Sequence, residues 1–216
     1  MLVWDDIETV LLDMDGTLLD LYFDNYFWQE YLPLKWAELN GLDVDVAKHR
    51  LMPQFRRMTG TLSWYCLDYW SEQLKIDVFA LKTEVEHLIG VRPQAEQFLA
   101  FLQQANKQVV LVTNSHQKLL ALKMEKTGID KYFDRIFSAH SLGAAKEELD
   151  FWYSLSDNFT FSADKTVLID DNLTVLRTAR EYGIRHLLCV AKPDSRVCAQ
   201  DAEEFTALSS FASLCS

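Results

Sequence analysis

The sequence predicts an α/β protein, a doubly wound parallel sheet with a helical segment inserted after its first strand. Four short, almost continuous apolar segments indicate strands buried on both faces, as in parallel sheets: residues 9–14, 108–113, 166–170 and 186–191. Amphipathic segments alternate with these strands, which is typical of the doubly wound arrangement. Residues 135–139 are a weaker candidate for a fifth strand.

The predicted helices between the strands have recognisable ends. Residues 93–106 start with Pro93, which fits the first turn of a helix because that turn needs no N–H from it. Residues 117–127 and 172–182 are each followed by a glycine, a common residue just beyond a helix. Strand and helix therefore alternate through the second half of the chain.

The segment between the first two strands differs, because residues 21–88 show no convincing strand pattern. Helices are predicted at residues 25–39, 45–57, 62–74 and 78–89, with breaks at Gly41, Gly60 and residues 75–77. We therefore expect a core domain formed by residues 1–20 and 90–216, and a helical cap formed by residues 21–89.

The composition excludes several classes of function. The 216 residues carry a formal net charge of −11, so the chain lacks the basic character that binds nucleic-acid polymers. Its apolar runs are too short to span a bilayer, and its acidic N-terminus is unlike a signal peptide. We interpret the protein as cytoplasmic, without a membrane partner. The four cysteines form no CxxC pair, which argues against a disulfide framework.

Polar side chains stand at the carboxyl ends of three predicted strands. They are Asp13 and Asp15 at the first, Thr113 and Asn114 at the second, and Asp170 and Asp171 at the fourth. Ligands of open parallel sheets bind at this edge. Several carboxylates can share a site when Mg²⁺ lies among them, and Mg²⁺ also bridges to phosphate. One aspartate can then attack phosphorus while another transfers a proton, so the pattern predicts a magnesium-dependent phosphoryl site.

The same residues carry a family resemblance. The motif Asp13-x-Asp15-Gly16-Thr17-Leu18 resembles motif I of the haloacid dehalogenase-like (HAD) hydrolase superfamily. Motifs II, III and IV of that superfamily are matched in order by Thr113-Asn114, Lys146 and Asp170-Asp171. Motif III is often Lys-Pro in the family, whereas Glu147 follows the lysine here. Lys165 is the competing lysine, but it lies at the wrong end of its strand.

The resemblance implies a role for each motif residue. Asp13 would be the nucleophile and a metal ligand, Asp15 the general acid/base and a ligand through its backbone carbonyl, and Asp170 a further ligand of Mg²⁺. Asp171 would support the site through the water shell of the metal or by positioning Lys146, which also neutralises charge on Asp13. The phosphoryl group would be held by Gly16, Thr17, Thr113, Asn114 and Lys146.

Two longer stretches of sequence resemble one group of enzymes within this superfamily. The runs LLDMDGTLLDLYFDNYFW and LSWYCLDYWSEQL are similar to bacterial GMP/IMP nucleotidases of this superfamily. This similarity implies Mg²⁺-dependent hydrolysis of a small phosphate ester, a purine nucleoside 5′-monophosphate, through an aspartyl-phosphate, under a cap that opens and closes. Cap aromatics such as Trp28, Trp64 and Tyr65 then have two interpretations, packing inside the cap or stacking on the base.

Other functions stay open on the sequence. A phosphatase of sugar phosphates or other small metabolites, or a phosphomutase, would share the four motifs. A dehalogenase is disfavoured, because that branch does not use the second aspartate of motif I, and Asp15 is present. A receiver-like phospho-acceptor domain also combines acids, Mg²⁺ and lysine, but it is shorter and takes phosphate on its third strand. Neither the oligomeric state nor the order of preference among monophosphates follows from the sequence.

Overall fold

In a computed structural model of the chain, which describes residues 2–215, six parallel strands form one sheet in the order β3-β2-β1-β4-β5-β6. The strands are β1 (Thr9–Leu12), β2 (Gln108–Thr113), β3 (Arg135–Ser138), β4 (Thr166–Asp170), β5 (His186–Val190) and β6 (Thr206–Leu208). The strand order reverses between β1 and β4, where the chain switches from one half of the sheet to the other. The predicted doubly wound parallel class is therefore confirmed.

The register of β1 brings two aspartates to the same point of the sheet. Leu12 of β1 is aligned with Ile169 of β4. The N–H of Asp13 then donates to the Ile169 carbonyl at 3.0 Å, which extends the ladder by one residue. Asp170 is the last residue of β4, so Asp13 and Asp170 leave the sheet side by side at the switch point.

Between residues 21 and 89 the described chain forms helices and no strand. They are α1 (Tyr22–Tyr26), α2 (Leu32–Asn40), α3 (Val44–Met58), α4 (Leu62–Tyr65), α5 (Leu67–Leu74) and α6 (Val78–Glu84), with a π-helical turn (Phe27–Tyr31) between α1 and α2. Residues 22–88, below called the helical segment, share an apolar cluster that includes Phe27, Phe55 and Trp70. The exact division of the chain into core and cap domains stays a prediction.

The remaining helices cover the two faces of the sheet. They are α7 (Ala95–Gln104), α8 (Gln117–Thr127), α9 (Ala139–Leu142), α10 (Leu149–Asn158) and α11 (Leu173–Tyr182). Alternate strand residues face opposite clusters, so Leu12 packs with Phe98 of α7 on one face and Leu11 with Trp152 of α10 on the other. The strands are buried on both sides, which is why their sequences are continuously apolar rather than alternating.

The structure differs from several predicted elements. The predicted helix 25–39 is interrupted by the π-helical turn Phe27–Tyr31. The predicted helix 62–74 is two helices, because Cys66 adopts an extended backbone conformation and caps α5 by accepting the Tyr69 N–H at 3.4 Å. The predicted helix 78–89 ends as a 3₁₀ turn, Glu86–Leu88. Strand β6 was not predicted, since three residues at a sheet edge carry little periodic signal. Within residues 2–215, no helix is long and apolar enough to cross a membrane.

Candidate active site at the sheet switch point

Lys146 lies at the centre of the predicted site. Its ammonium contacts Asp13 Oδ1 at 2.6 Å and Asp170 Oδ2 at 2.7 Å, and the residue is 2% exposed. The Trp152 indole donates to the Lys146 carbonyl at 2.9 Å, which anchors the loop that carries this lysine. Lys165, the competing candidate, instead pairs with exposed Glu8 at the start of β4. The structure therefore brings Lys146, and not Lys165, to the two aspartates.

Three carboxylates converge beside Lys146. Asp13, Asp170 and Asp171, below called the acid cluster, each place an oxygen within 4.8 Å of the other two. Asp13 Oδ2 is buried and has no hydrogen-bond partner. A buried carboxylate oxygen without a partner is costly, and one ammonium does not balance three carboxylates. Carboxylate oxygens are the ligands that Mg²⁺ prefers, and the cluster lacks the positive charge that Mg²⁺ would bring. The residues present therefore fit the predicted metal.

The closeness of these buried charges shifts the pKa values of the acid cluster and of Lys146. Burial raises the pKa of Asp13 to about 6, against the opposing attraction of Lys146. Burial and then the charges of Asp13 and Asp170 raise the pKa of Asp171 well above its usual value. The Lys146 ammonium is disfavoured by burial, yet the two carboxylates outweigh this and raise its pKa. The acid cluster thus prefers to gain positive charge, either as protons or as a cation.

Gly16 gives the acid cluster the space that it needs. Its φ of +92° is a backbone conformation that residues with a side chain rarely adopt. A Cβ at this position would lie 2.5 Å from Asp171 Oδ2, so no larger residue fits without moving that carboxylate. The Gly16 N–H donates to the Leu19 carbonyl at 2.8 Å, which closes the turn after β1. Beside it, the hydroxyl of Thr17 is buried without a hydrogen-bond partner.

Asp15 lies outside the acid cluster in the described structure. Its Oδ1 accepts from Lys123 Nζ of α8 at 2.6 Å, and the same ammonium donates to Asp24 Oδ2 of α1 at 2.7 Å. Asp24 Oδ1 in turn accepts from Lys82 Nζ of α6 at 2.6 Å. This buried charge chain, Asp15–Lys123–Asp24–Lys82, connects the predicted acid/base residue to the helical segment.

The charge chain is held in low-dielectric surroundings. Burial raises the pKa of Asp15 to about 6, although the Lys123 ammonium acts against this. Burial acts in the same direction on Asp24, but Lys123 and Lys82 outweigh it and hold the pKa of Asp24 well below its usual range. The Lys82 ammonium also lies 4.4 Å from the centre of the Phe27 ring, a favourable cation–π distance. Neither lysine was a candidate from the sequence, where each is one charge in an amphipathic helix.

The loop after β2 presents the second set of predicted residues. Thr113 Oγ1 accepts the Ser115 N–H at 3.0 Å, which leaves the Thr113 hydroxyl proton to donate elsewhere. Asn114 Oδ1 accepts the Lys146 N–H at 2.9 Å, so this amide holds the loop that carries Lys146. The hydroxyl of Ser115, which the sequence did not single out as a binding residue, is buried without a partner. These groups form a donor-rich wall of the kind that binds phosphoryl oxygens.

Glu147, the departure from the usual Lys-Pro motif, ties the site to the helical segment. Its carboxylate accepts from Tyr65 OH at 2.5 Å, from Asn114 Nδ2 at 2.9 Å and from Asn172 Nδ2 at 3.2 Å. Burial and the Glu147 charge together raise the pKa of Tyr65 well above its usual value, so the phenol stays a donor. The sequence marked Glu147 only as an irregularity, whereas the structure makes it a hub of three side chains.

A cavity of about 750 Å³ opens from the acid cluster towards the helical segment. At the sheet edge it is lined by the acid cluster, Asp15, Lys146 and the loop after β2. Its far wall is formed by residues of the helical segment, among them Asn25, Trp28, Phe55, Arg56 and Trp64. The Trp28 and Trp64 ring centres are 5.0 Å apart. The cavity therefore has an acidic end at the sheet edge and a far wall that combines aromatic side chains with charged ones such as Lys48 and Arg56.

The chain is similar to known hydrolases. A family model described as haloacid dehalogenase-like hydrolase matches residues 7–183. The chain is 40% identical to the GMP/IMP nucleotidase YrfG of Escherichia coli (strain K12) over 210 residues. The aligned region covers 97% of this chain and 95% of the relative.

Solved structures show how widely this fold is shared. A HAD phosphatase from Thermococcus onnurineus superposes with a TM-score of 0.80 at 19% identity, covering 96% of each chain. An L-2-haloacid dehalogenase from Xanthobacter autotrophicus superposes with a TM-score of 0.61 at 14% identity, covering 97% of each chain. At these identities the likeness establishes the fold alone, and the fold serves more than one chemistry.

The fold and the site together define a hydrolase with an acidic centre at the switch point of a doubly wound sheet. The chain belongs to the haloacid dehalogenase-like hydrolase family, as the family model and the curated relative show. The predicted superfamily, fold class and enzyme class are therefore confirmed.

Proposed function

We propose that the protein is a Mg²⁺-dependent phosphatase that hydrolyses purine nucleoside 5′-monophosphates through a phosphorylated Asp13. The observation that carries the reaction type is the unpartnered Asp13 Oδ2, buried beside an ammonium and two further carboxylates. The nucleotide class is supported by the 40% identity to a GMP/IMP nucleotidase over almost the whole chain.

Asp13, Asp170 and Asp171 are the side chains that would hold the metal. When bound, Mg²⁺ would supply positive charge that draws phosphate to the carboxylates and offsets the charge developing on its oxygens. The fit rests on the oxygen donor set and its charge deficit, described above. The proposed backbone ligation by Asp15 belongs to the same hypothesis.

In the first chemical step, Asp13 attacks the phosphorus atom and the bond to the nucleoside oxygen breaks. Lys146 neutralises negative charge on Asp13 and on the transferred group. The hydroxyls of Thr113 and Ser115 line the same cavity and donate to phosphoryl oxygens. Asp15 gives its proton to the leaving oxygen, which yields a neutral nucleoside and an aspartyl-phosphate.

In the second step, water attacks the phosphorus of the aspartyl-phosphate and Asp15 takes the proton that the water loses. The Asp13 carboxylate leaves, so the enzyme returns to its starting state and inorganic phosphate is released. Only Oδ1 of Asp15 takes part in the contact with Lys123, and Asp15 also lines the cavity. A pKa of about 6 lets this carboxyl act as donor and acceptor near neutral pH.

The helical segment would act as the cap that receives the nucleoside. Its wall of Trp28, Phe55 and Trp64 offers apolar faces on which a flat purine can stack. Arg56, from α3, adds a cationic donor at the same wall, whereas Arg57 does not line the cavity. Closure of the segment over the site would exclude bulk water during phosphoryl transfer.

Phosphate release from GMP, IMP, AMP and a panel of sugar phosphates, each with Mg²⁺, tests the proposal. We expect the highest kcat/KM with GMP and IMP, and no turnover by Asp13→Asn. Release from sugar phosphates with none from nucleotides would replace the substrate assignment by the small-metabolite alternative. Absence of release from every ester by folded, Mg²⁺-loaded protein would refute the phosphatase itself.

The base-stacking wall has its own test. Trp64→Ala removes an aromatic face of the cavity, and base stacking on aromatic residues is worth about 1–3 kcal/mol. We expect kcat/KM for GMP to fall by roughly 5- to 150-fold, while kcat/KM for ribose 5-phosphate stays unchanged because that ester has no base. Equal losses with both esters would mean that Trp64 supports the fold of the segment rather than the nucleobase.

A further inference from the structure

A second group of metal-binding side chains lies beside the loop after β2. Cys66, His116 and His140, below called the thiol–imidazole cluster, each place a sulfur or ring nitrogen within 4.8 Å of the other two. The two imidazole rings are 4.9 Å apart, centre to centre, with an angle of 78° between their planes. This cluster shares no residue with the acid cluster.

His140 is the member that lacks any other explanation. Both of its ring nitrogens are buried and neither has a hydrogen-bond partner. Burial, followed by the proximity of His116, lowers the pKa of His140 to about 4, so the ring is neutral near pH 7. Buried polar atoms are nearly always paired, and a neutral imidazole keeps one nitrogen lone pair free for a metal.

The other two members are already oriented by neighbouring groups. Cys66 Sγ accepts the Tyr69 N–H at 3.4 Å, a contact that fixes the position of the sulfur at the start of α5. His116 Nε2 lies 3.6 Å from Asp68 Oδ2, which is in place to add a fourth ligand. Ligation through Nε2 puts the ring proton on Nδ1, so it replaces the 3.4 Å contact in which Nδ1 accepts the Lys118 N–H. His116 also lines the catalytic cavity.

We propose that Cys66, His116 and His140 bind a thiophilic divalent cation, with Zn²⁺ as the best match. One sulfur and two imidazole nitrogens are ligands that zinc prefers, and three protein ligands leave one position for Asp68 or water. Binding converts the Cys66 thiol to a thiolate and releases its proton to solvent. Mg²⁺ prefers oxygen donors, so the two clusters select different ions.

The three ligands come from different parts of the fold. Cys66 separates α4 from α5 in the helical segment, His116 caps the start of α8, and His140 lies in α9 after β3. A bound ion would therefore fasten the helical segment to the carboxyl edge of the sheet. If that segment is the cap of the proposed function, zinc would hold it against the sheet and slow substrate entry and product release.

Metal binding can be measured without substrate, so its outcome is independent of the proposed function. The probe is Co²⁺ added to the full chain in excess Mg²⁺, which occupies oxygen-donor sites. We expect one equivalent of Co²⁺ to give a thiolate-to-cobalt charge-transfer band that Zn²⁺ then removes. Cys66→Ser should abolish the band while keeping an acceptor at the α5 cap, and Cys198→Ser, at an exposed cysteine, should leave it intact.

A second variant separates ligation from folding. His140→Leu removes an imidazole that makes no hydrogen bond, so the metal-free variant should be at least as stable as the parent. Removal of a residue that only hydrogen-bonds to a metal ligand costs about 10- to 100-fold in metal affinity. Removal of the His140 ligand itself should therefore weaken Zn²⁺ binding by at least ~100-fold. A parent protein that gives no charge-transfer band, or a His140→Leu variant that binds Zn²⁺ as tightly, would overturn the site.

The regulatory consequence has a separate readout. With one equivalent of Zn²⁺ and excess Mg²⁺, kcat of the parent should fall and that of Cys66→Ser should not. Equal turnover of the parent with and without zinc, under conditions where the spectrum shows the site filled, would refute the fastening of the segment.

Discussion

Lys123 joins the predicted acid/base residue to the helical segment, and Lys123→Met tests that connection. The ammonium lies 2.6 Å from Asp15 Oδ1 and 2.7 Å from Asp24 Oδ2, and the residue is 1% exposed. Methionine keeps most of the aliphatic stem, so the packing of α8 changes little. The substitution removes the charge and leaves two carboxylates without the group that both share.

The size of the effect follows from burial. Removing one partner of a buried ion pair costs about 3–5 kcal/mol, because the remaining charge stays desolvated. For a chain of this size each kcal/mol lowers Tm by about 2–4 °C, so Tm should fall by roughly 6–20 °C. Lys126→Met is the matched control on the same helix, since Lys126 is 44% exposed and pairs with Glu86 at 2.7 Å. An exposed pair of this kind is worth about 0–1 kcal/mol.

Thermal unfolding of the parent and both variants, followed by circular dichroism at pH 7, provides the measurement. Lowering the pH below 6 protonates Asp15, whose pKa is about 6, so the part of the Lys123→Met effect that comes from Asp15 should shrink. The part from Asp24 should persist, because the pKa of Asp24 is held well below its usual range. If Lys123→Met lowered Tm no more than Lys126→Met does, the buried charge chain would have no energetic role.

Three further predictions concern the carboxylates of the site and the glycine beside them. Gly16→Ala should lower the free energy of unfolding by at least about 1–2 kcal/mol through backbone strain, and it should also lower Mg²⁺ affinity, because the new Cβ meets Asp171. Gly143→Ala is the control, since Gly143 has a φ of +82° and nothing lies within 4 Å of the place that a Cβ would occupy; it should show the strain alone. Denaturant unfolding measures the stability of both variants and calorimetry measures their Mg²⁺ binding. Without Mg²⁺, the free energy of unfolding should fall as pH rises from about 4 to about 6, because Asp13 and Asp15 keep their protons in the folded chain and lose them in the unfolded chain over this range. A rise in the denaturation midpoint between about pH 4 and about pH 6 would contradict the raised pKa values of these two aspartates. Mg²⁺ should raise Tm more at pH 7 than at pH 4, because protonated carboxylates bind it poorly; equal shifts in calorimetry would argue against the acid cluster as its site.

Much of the site was predictable because most of its polar residues lie at the carboxyl ends of strands. A parallel sheet brings the carboxyl ends of its strands together, so Asp13, Thr113 and Asp170 could be grouped before any coordinates. Lys146 follows no strand, and it was identified only through its resemblance to motif III of the family. The fold class was predictable for a related reason, since strands buried on both faces must be continuously apolar.

The parts that could not be predicted depend on contacts between distant segments. Lys123 and Asp24 are 99 residues apart, and in an isolated helix each would read as a solvated charge. Glu147 looked like a departure from a motif, yet Tyr65 and Asn172 reach it from other elements. The break at Cys66 is an exception, because it is local: its sulfur caps α5 by accepting the Tyr69 N–H, and cysteine is not among the residues that usually mark the start of a helix.

The phosphorylation of Asp13 is the central claim, and acid-quenched single turnovers with phosphate-radiolabelled GMP and Mg²⁺ test it most directly. We predict a transient label on the peptide that contains Asp13, absent from Asp13→Asn and longer-lived in Asp15→Asn, which lacks the base for hydrolysis. Phosphate formation by the parent without label on this peptide at any time, or turnover by Asp13→Asn, would contradict the account.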